Sequence, residues 1–308
     1  MYETAVKKLS RAIVTKSRLF LPRERQIAIE RRHRGKEQHG KLRRADVTVV
    51  SHGKSGRTWL RVLLSRFYNV KYGLESSALL AFDNFHRRNA SVPKVFFTHD
   101  NYIRDHTGNP DVISDYGDRK IVLLVRHPAD VTVSQYFQWK YRMKRGKKDL
   151  LAYPDHGSKV ELFDFLMRPE WGIPRTIDFM NLWSEAIGHL PEFLMIRYED
   201  LRRDTAAGLG RVLGFLGTPA SEAELEDAVA FASVENMRQM EQSAPLFSGS
   251  RMRPGDRGNP ESYKVRRAKV GGYVDYLDDD QAAQVHALVD ARLAPLYGYG
   301  TEKARRLD

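Results

Sequence analysis

The sequence predicts a single α/β domain with a central parallel sheet flanked by helices. Short apolar segments alternate with longer helical patterns along a chain of 308 residues, and this alternation is typical of a parallel sheet that helices cover on both faces. The first strand runs through a glycine-containing loop directly into a helix. Each predicted strand is also followed by a polar residue, which indicates a binding site beyond the carboxyl ends of the strands.

Four apolar segments carry the strand prediction. They span residues 46–51, 95–98, 121–125 and 193–197. Helical patterns follow over residues 59–64, 128–142, 201–216 and 222–232. The polar residues that follow the strands are, in chain order, Lys54, His99, Arg126 and Tyr198. Because parallel strands present their carboxyl ends at one edge of a sheet, these four residues form one candidate site although they lie far apart in sequence.

The excess of basic residues is concentrated at the N-terminus. Residues 1–45 contain 14 Lys and Arg against 4 Asp and Glu, whereas the remainder of the chain contains 37 and 35. Apolar residues recur with helical spacing over residues 3–20, and Pro22 either ends that helix or begins another. The sequence therefore predicts a basic helical arm over residues 1–45 and a domain over residues 46–300. The arm either contacts an anionic partner, such as a membrane surface, or is a solvated tail.

Composition excludes several classes of site. The chain has no cysteine, so it has no disulfide, no cysteine zinc site and no thiol nucleophile. No run of about 18 apolar residues is present to span a membrane, and basic residues interrupt any signal-peptide core in the first 20 residues. These features predict a cytoplasmic protein, peripheral on the inner face of a membrane if the arm binds lipid.

The loop between the first strand and the first helix predicts a phosphate site of P-loop-like type. Unpaired backbone N–H groups and the helix dipole favour an anion at a helix N-terminus. Gly53 and Gly56 let the backbone bend closely around a phosphate. Lys54 supplies a full positive charge, and Ser55 and Thr58 supply hydroxyl donors.

Two departures argue against a metal-bound triphosphate in this loop. A Walker A loop carries a glycine five residues before its Gly-Lys pair, and this chain has Thr48 there. The strand over residues 121–125 ends in Arg126, where a nucleotide triphosphatase often has a carboxylate for Mg²⁺. A phosphate bound without metal is therefore favoured. A kinase that uses Mg-ATP stays open as an alternative, as does a non-catalytic nucleotide- or nucleic-acid-binding protein.

Three segments resemble the donor motifs of the sulfotransferases that use 3'-phosphoadenosine 5'-phosphosulfate (PAPS). Residues 53–60 read GKSGRTWL where the family reads P-K-S-G-T-T-W-L. Residues 126–134, RHPADVTVS, resemble the family's R-N-P-x-D-V-x-V-S. Residues 266–273, RRAKVGGY, are loosely similar to R-K-G-x-x-G-D-W. The segments occur in the family's order, within a match that covers roughly residues 46–280.

The resemblance implies a binding role for each matched residue. The 5'-phosphosulfate would be held by the loop residues Lys54, Ser55, Gly56, Arg57, Thr58 and Trp59. The 3'-phosphate would be held by Arg126 and Ser134, beneath a lid loop at about residues 240–275 that contributes Arg266, Arg267 and Ala268. The adenosine would be contacted by Tyr198, Ser233 and Met237.

The resemblance also implies the reaction, in which a sulfuryl group moves in line from PAPS to an acceptor and leaves adenosine 3',5'-bisphosphate (PAP). Such transfer depends on positioning and on charge stabilisation, and the family uses no metal for it. His99 would be the general base, and Lys54 would stabilise the leaving phosphate. The family often reads K-T-H where this chain reads Phe97-Thr98-His99, so Lys54 and Arg57 are expected to carry more of the charge.

The acceptor is the part of the reaction that the sequence defines least. The family builds acceptor pockets from variable loops, here about residues 68–92, 138–175 and 240–262. The candidates are a hydroxyl or amine on a small molecule, a lipid or a glycan, and the amphipathic basic arm favours an acceptor at an anionic membrane surface. Nucleic acid is not expected as a partner, because the charges outside the arm nearly balance. The oligomeric state is left open.

Overall fold

The sheet has the predicted parallel architecture. The computed structural model describes residues 21–243 and 254–300. Within them the strands are β1 (Val47–Val50), β2 (Val95–Thr98), β3 (Lys120–Val125) and β4 (Glu192–Arg197). They form a four-stranded sheet in the order β2-β1-β3-β4, with every neighbouring pair parallel.

The strand order creates the crevice where a ligand can bind. β1 pairs with β2 on one side and with β3 on the other. The chain therefore winds to one side after β1 and to the opposite side after β2. In open α/β sheets, such a reversal separates the connections at the carboxyl ends of the strands and opens a crevice there.

The helices lie between and after the strands. In chain order they are α1 (Arg23–Leu42), α2 (Arg57–Tyr72), α3 (Ile103–Thr107), α4 (Ile113–Tyr116), α5 (Pro128–Tyr141), α6 (Arg145–Leu150), α7 (Leu162–Met167), α8 (Ile173–Ala186), α9 (Tyr198–Arg203), α10 (Thr205–Phe215), α11 (Glu222–Phe231), α12 (Val234–Gln242) and α13 (Asp279–Arg292). The single helix predicted over residues 201–216 is wrong. Two helices stand there, because Asp204 adopts an extended conformation and its side chain accepts a hydrogen bond from the Ala207 N–H to begin α10.

Apolar side chains cover both faces of the sheet. Along β3, Ile121 and Leu123 contribute to one core and Val122 and Leu124 to the other, as expected for a strand whose side chains alternate between two buried faces. Side chains of α5, α8 and α13 complete the first core, and those of α2, α10 and α11 complete the second. The strand ends are therefore held rigidly from both sides.

Helix α1 packs against the domain. The Arg31 guanidinium donates hydrogen bonds to the carbonyl oxygens of Asn101, at 3.0 Å, and Leu150, at 2.6 Å. A Cβ added at Gly35 would lie 2.2 Å from the Tyr102 carbonyl oxygen, so only glycine permits this approach. The helix falls within the arm predicted over residues 1–45. Residues 1–20 of that arm lie outside the described residues.

Candidate active site

Two residues of the loop between β1 and α2 have a left-handed backbone conformation. Lys54 has φ +78° and Gly56 has φ +97°. A Cβ at Gly56 would lie 2.6 Å from the Tyr198 ring, so glycine is required there both for the backbone and for the close approach of that ring. The left-handed conformation costs a residue with a Cβ about 1–2 kcal/mol. Lys54 adopts this conformation within the site.

A cavity of about 550 Å³ opens at the carboxyl edge of the sheet, and the four residues that follow the strands all line it. Other predicted site residues also line it: Gly56, Arg57, Thr58, Trp59, Ser134, Met237, Arg266, Arg267 and Ala268. Two predicted residues do not reach it. Ser55 is buried at 1% exposure, and the Ser233 hydroxyl accepts a hydrogen bond from the Asn236 N–H at the start of α12.

His99 is held as a neutral imidazole between two partners. Its Nδ1 lies 2.7 Å from the Ser51 carbonyl oxygen, and since a carbonyl only accepts, Nδ1 carries the proton. Nε2 then accepts a hydrogen bond from Arg57 Nη2, 2.6 Å away. Burial, followed by the positive charge of Arg57, lowers the pKa of His99 well below its usual value. The imidazole is therefore neutral at physiological pH, as a general base must be.

Lys54 lies in a strongly cationic environment. Burial lowers the pKa of its ammonium well below the usual value, and the charges of Arg142, Lys264 and Arg266 lower it further, while Glu241 acts in the opposite direction. Each positive neighbour makes the charged form of a buried ammonium less stable. An anion bound beside Lys54 would reverse this effect.

Arg126 lies beneath the lid with a buried group that has no partner. Its guanidinium stacks 4.4 Å from the centre of the Tyr198 ring, lies 3.2 Å from the Asp130 carboxylate and donates to the Lys269 carbonyl oxygen. Its Nε is buried and makes no hydrogen bond within the described residues. Buried polar groups are normally satisfied, so the guanidinium of Arg126, which lines the cavity, is only partly paired within the described residues.

The lid segment, residues 264–273, is fastened to the domain through its backbone. The Asp130 carboxylate accepts hydrogen bonds from the N–H groups of Gly271 and Tyr273. The fully buried Glu241 accepts two more from the N–H groups of Lys264 and Val265. The lid is thereby held over the cavity in a fixed position.

Sequence reasoning missed both of these lid anchors as site residues. Asp130 stands inside the second motif, which is a signal that could have identified it. Glu241 follows no motif, and only the folded chain shows that it is buried beneath the lid.

The lid arginines make polar contacts on the protein itself. Arg266 lies 3.9 Å from the centre of the Phe137 ring and donates to Glu261. Arg267 pairs with Asp275 at 2.9 Å. Ala268 has φ +53°, a left-handed conformation in which the family motif has glycine.

Phe97 stands where the family has a lysine, and Arg57 was expected to supply the missing charge. The arginine that contacts the Phe97 ring is Arg61 instead. The guanidinium of Arg61 lies 4.9 Å from the Phe97 ring centre and donates to the Leu80 carbonyl oxygen. Arg57 instead contacts His99. A positive charge is therefore brought near His99 from helix α2, by the Arg57 side chain that also contacts His99.

No group of three or more His, Cys, Asp or Glu side chains within residues 21–243 and 254–300 is placed to hold a metal ion. The same part of the chain contains no helix that is long and apolar enough to cross a membrane.

The family model and the similar proteins all point to the same family. The chain matches the family model for the sulfotransferase domain over residues 44–297. It is 27% identical over 288 residues to cytosolic sulfotransferase 14 of Arabidopsis thaliana, a match that covers 81% of this chain and 75% of that protein. It is 24% identical over 219 residues to human sulfotransferase 2A1, covering 66% of this chain and 70% of that protein.

Solved structures share the fold. Mouse sulfotransferase SULT7A1 complexed with PAP superposes with a TM-score of 0.55 at 19% identity, covering 83% of this chain and 89% of that chain. Retinol dehydratase in complex with androsterone and the inactive cofactor PAP gives a TM-score of 0.53 at 18% identity, with 80% of each chain covered.

Proposed function

This chain belongs to the sulfotransferase family, and we propose that it transfers the sulfuryl group of PAPS to a hydroxyl or amine of an acceptor. The convergence of Lys54, His99, Arg126 and Tyr198 in one cationic cavity carries the proposal. Two proteins that share the fold, mouse sulfotransferase SULT7A1 and retinol dehydratase, bind PAP according to their names. That binding supports the same donor here.

The described residues fit a donor with anionic groups at both ends. Arg126 lines the cavity with a guanidinium that can bind the 3'-phosphate, and Ser134, two helical turns into α5, lines it as well. Tyr198 and Met237 line the cavity between the phosphate ends and suit adenosine. At the other end, the pKa of Lys54, lowered by burial and by its cationic neighbours, indicates a position that an anionic phosphosulfate would stabilise.

In the proposed mechanism His99 is the general base, and the positive charge of Lys54 stabilises the leaving group. His99 Nε2 takes the proton from the acceptor hydroxyl as the acceptor oxygen forms its bond to sulfur. The bond between sulfur and the bridging oxygen breaks, and Lys54 stabilises the charge that remains on the 5'-phosphate. PAPS supplies the activated sulfuryl group.

Arg57 has to leave Nε2 before His99 can act, because the arginine donates into the lone pair that accepts the proton. The sulfuryl group of the donor is an alternative anionic partner for that guanidinium. Donor binding would therefore release the base, and Arg57 would move from holding His99 to stabilising the transferred group.

The competing functions are a Mg-ATP-dependent kinase and a non-catalytic nucleotide- or nucleic-acid-binding protein. Family membership does not favour either of them. A comparison of PAP with ATP and Mg²⁺ as stabilising ligands separates the kinase from the sulfotransferase, because a ligand that binds the folded state raises the unfolding temperature by more the further its concentration exceeds its Kd.

Binding and turnover together test the proposal. Calorimetry should show PAP binding to the wild type. Arg126→Ala should weaken the binding of PAP by about tenfold or more. It should leave the binding of adenosine 5'-phosphosulfate, which has no 3'-phosphate, nearly unchanged.

His99→Ala should keep PAP binding and lose about a hundredfold or more in the rate of sulfuryl transfer. Equal weakening of both nucleotides, or full activity of His99→Ala, would contradict the assigned roles.

The cellular location and acceptor class are proposed from the sequence. The basic residues of the first 45 favour peripheral binding to an anionic membrane surface from the cytoplasm, with a lipid or glycan acceptor. Co-sedimentation with anionic vesicles tests the proposed membrane binding. It is measured for the full chain and for a chain lacking residues 1–20. A cut at residue 20 leaves α1 in place, so equal binding by the two chains would show that residues 1–20 do not carry the binding, and no binding by the full chain would contradict the proposal.

A further inference from the structure

The cavity holds more positive charge than the donor motifs account for. Among the described residues that line it, twelve are Lys or Arg and one, Asp130, is acidic. Asp130 already faces Arg126 and accepts two backbone hydrogen bonds from the lid. The donor motifs assign five of the cations: Lys54, Arg57, Arg126, Arg266 and Arg267. The remaining cations include two exposed lysines, Lys144 and Lys147.

These two lysines lie far from the end of the cavity that fits the 3'-phosphate. Asp130, Ser134 and Gln138 line the cavity at intervals of four residues along α5, which places them on one face of that helix. The helix ends at Tyr141, about 16 Å along its axis from Asp130 at a rise of 1.5 Å per residue, and Lys144 follows three residues later. The lysines therefore line the cavity just after the end of α5 that points away from Arg126.

The short helix that carries Lys147 is fixed beside the catalytic base. One guanidinium, that of Arg31, donates both to the Leu150 carbonyl oxygen at the end of α6 and to the Asn101 carbonyl oxygen, two residues after His99. Burial and Arg57 lower the pKa of His99, and Lys147 acts more weakly in the same direction, in keeping with an ammonium group near the imidazole. The lysines thus border the space that an acceptor must enter to reach His99.

From this placement we infer that the acceptor is itself an anion: a hydroxyl compound that carries a carboxylate, sulfate or phosphate group. Lys144 and Lys147 bind the anionic group while the hydroxyl faces His99. The anionic group is unchanged by the reaction, in which only the hydroxyl loses its proton and gains the sulfuryl group. This inference rests on the proposed sulfuryl transfer. A neutral apolar acceptor would make no use of two ammonium groups and would have to displace water from around them.

Four matched sugars test the inference: the methyl and octyl β-D-glucosides and the methyl and octyl β-D-glucuronides. Each glucuronide differs from its glucoside by a carboxylate in place of a hydroxymethyl group. Calorimetric titration of the PAP-saturated protein should show each glucuronide binding about tenfold tighter than its glucoside, the factor expected for a charged hydrogen bond. The octyl chain separates a lipid-like acceptor from a free acidic sugar, because only the former gains affinity from the chain.

Two double variants that each remove two positive charges test whether the preference for glucuronides comes from Lys144 and Lys147. Lys144→Gln/Lys147→Gln should abolish the preference for glucuronides and leave PAP affinity within about twofold of the wild type. Arg145→Gln/Lys159→Gln removes two exposed charges that do not line the cavity and should keep the preference. Both pairs are at exposed positions, so folding is expected to persist.

The outcomes separate this inference from the proposed function. If PAP does not bind to the wild type, the sulfotransferase proposal fails. If PAP binds but glucoside and glucuronide bind equally, or neither binds, the acceptor inference is overturned and the proposed function stands. If the lysine variant loses PAP affinity, the two lysines serve the donor and the inference is also overturned.

Discussion

Arg57 and His99 form the contact that most directly controls the proposed chemistry. The two residues are 42 positions apart in sequence, yet Arg57 Nη2 lies 2.6 Å from His99 Nε2. The hydrogen bond holds the imidazole in the tautomer that can act as a base and occupies the lone pair that must accept the proton. Arg57 therefore both orients the proposed base and blocks its lone pair until the guanidinium binds an anion instead.

Replacing Arg57 by the threonine found in the family motif should change the pH dependence of the reaction. The wild-type rate needs neutral His99, so kcat/KM falls as pH drops through the pKa of His99. Because Arg57 is one of the causes that lower this pKa, Arg57→Thr should raise it and move the acidic limb of the profile to higher pH. Measuring kcat/KM between pH 4.5 and 9 checks this.

Arg88→Thr is the matched control, since it removes the same charge from an exposed position outside the cavity. Its pH profile should coincide with that of the wild type. An acidic limb that stays in place in Arg57→Thr would show that the arginine does not act on His99 in solution.

Among the structural elements, the turn from β1 to α2 sets the shape of the site. Gly56 combines a left-handed backbone with a close approach of the Tyr198 ring, and that ring in turn supports the guanidinium of Arg126. The same element therefore forms the phosphate loop and positions the residue proposed for the 3'-phosphate. The lid completes the arrangement, because Asp130 and Glu241 fix its backbone from α5 and α12.

Gly56→Ala and Gly73→Ala separate backbone strain from loss of ring contact. Both glycines have positive φ, but a Cβ at Gly73 would meet nothing within 4 Å. Each variant should lose about 1–2 kcal/mol of unfolding free energy from the left-handed backbone. Gly56→Ala alone should also displace Tyr198 and weaken PAP by about tenfold or more. Urea denaturation and calorimetry give the two quantities, and equal PAP affinity in the two variants would argue against the Tyr198 contact.

For the whole molecule, helix α1 links regions that are distant in sequence. Arg31 bridges the loop after His99 and the end of α6, so the helix supports both the proposed base and the proposed acceptor end of the cavity. The highly charged sequence of α1 suggested an arm or linker leading to the core. Its glycine contact and its long-range hydrogen bonds make it an integral layer of the described structure.

Two glycines of α1 test whether that packing exists in solution. Gly35→Ala places a Cβ 2.2 Å from the Tyr102 carbonyl oxygen, and such overpacking should cost about 1–3 kcal/mol of unfolding free energy. Gly40 has nothing within 4 Å of its added Cβ, so Gly40→Ala should stabilise the protein by up to about 1 kcal/mol through helix propensity. Chemical denaturation measures both. A Gly35→Ala variant as stable as Gly40→Ala would mean that α1 is not docked.

The sequence by itself determined the parts of this protein that depend on local pattern. Alternating apolar segments located all four strands to within a residue or two, and the glycine loop identified the phosphate site next to β1. Three donor motifs in order indicated the family, and the apolar pattern placed Lys54, His99, Arg126 and Tyr198 after strand ends, where parallel pairing brings them together. These inferences succeeded because strand pairing and helix N-termini act over a few residues and leave a direct trace in the chain.

Only the tertiary structure decided the contacts between residues that are far apart in sequence. These contacts depend on how the elements pack: the strand order, the hydrogen bond between Arg57 and His99, the burial of Glu241 beneath the lid and the presence of Lys144 and Lys147 in the cavity that His99 also lines. A side chain's partner in such a contact is chosen by packing and by the pairing of buried polar groups, and neither is encoded in a short segment. The convergence of the residues proposed for the donor could therefore be predicted from sequence, whereas the two lysines proposed for the acceptor were identified only from the fold.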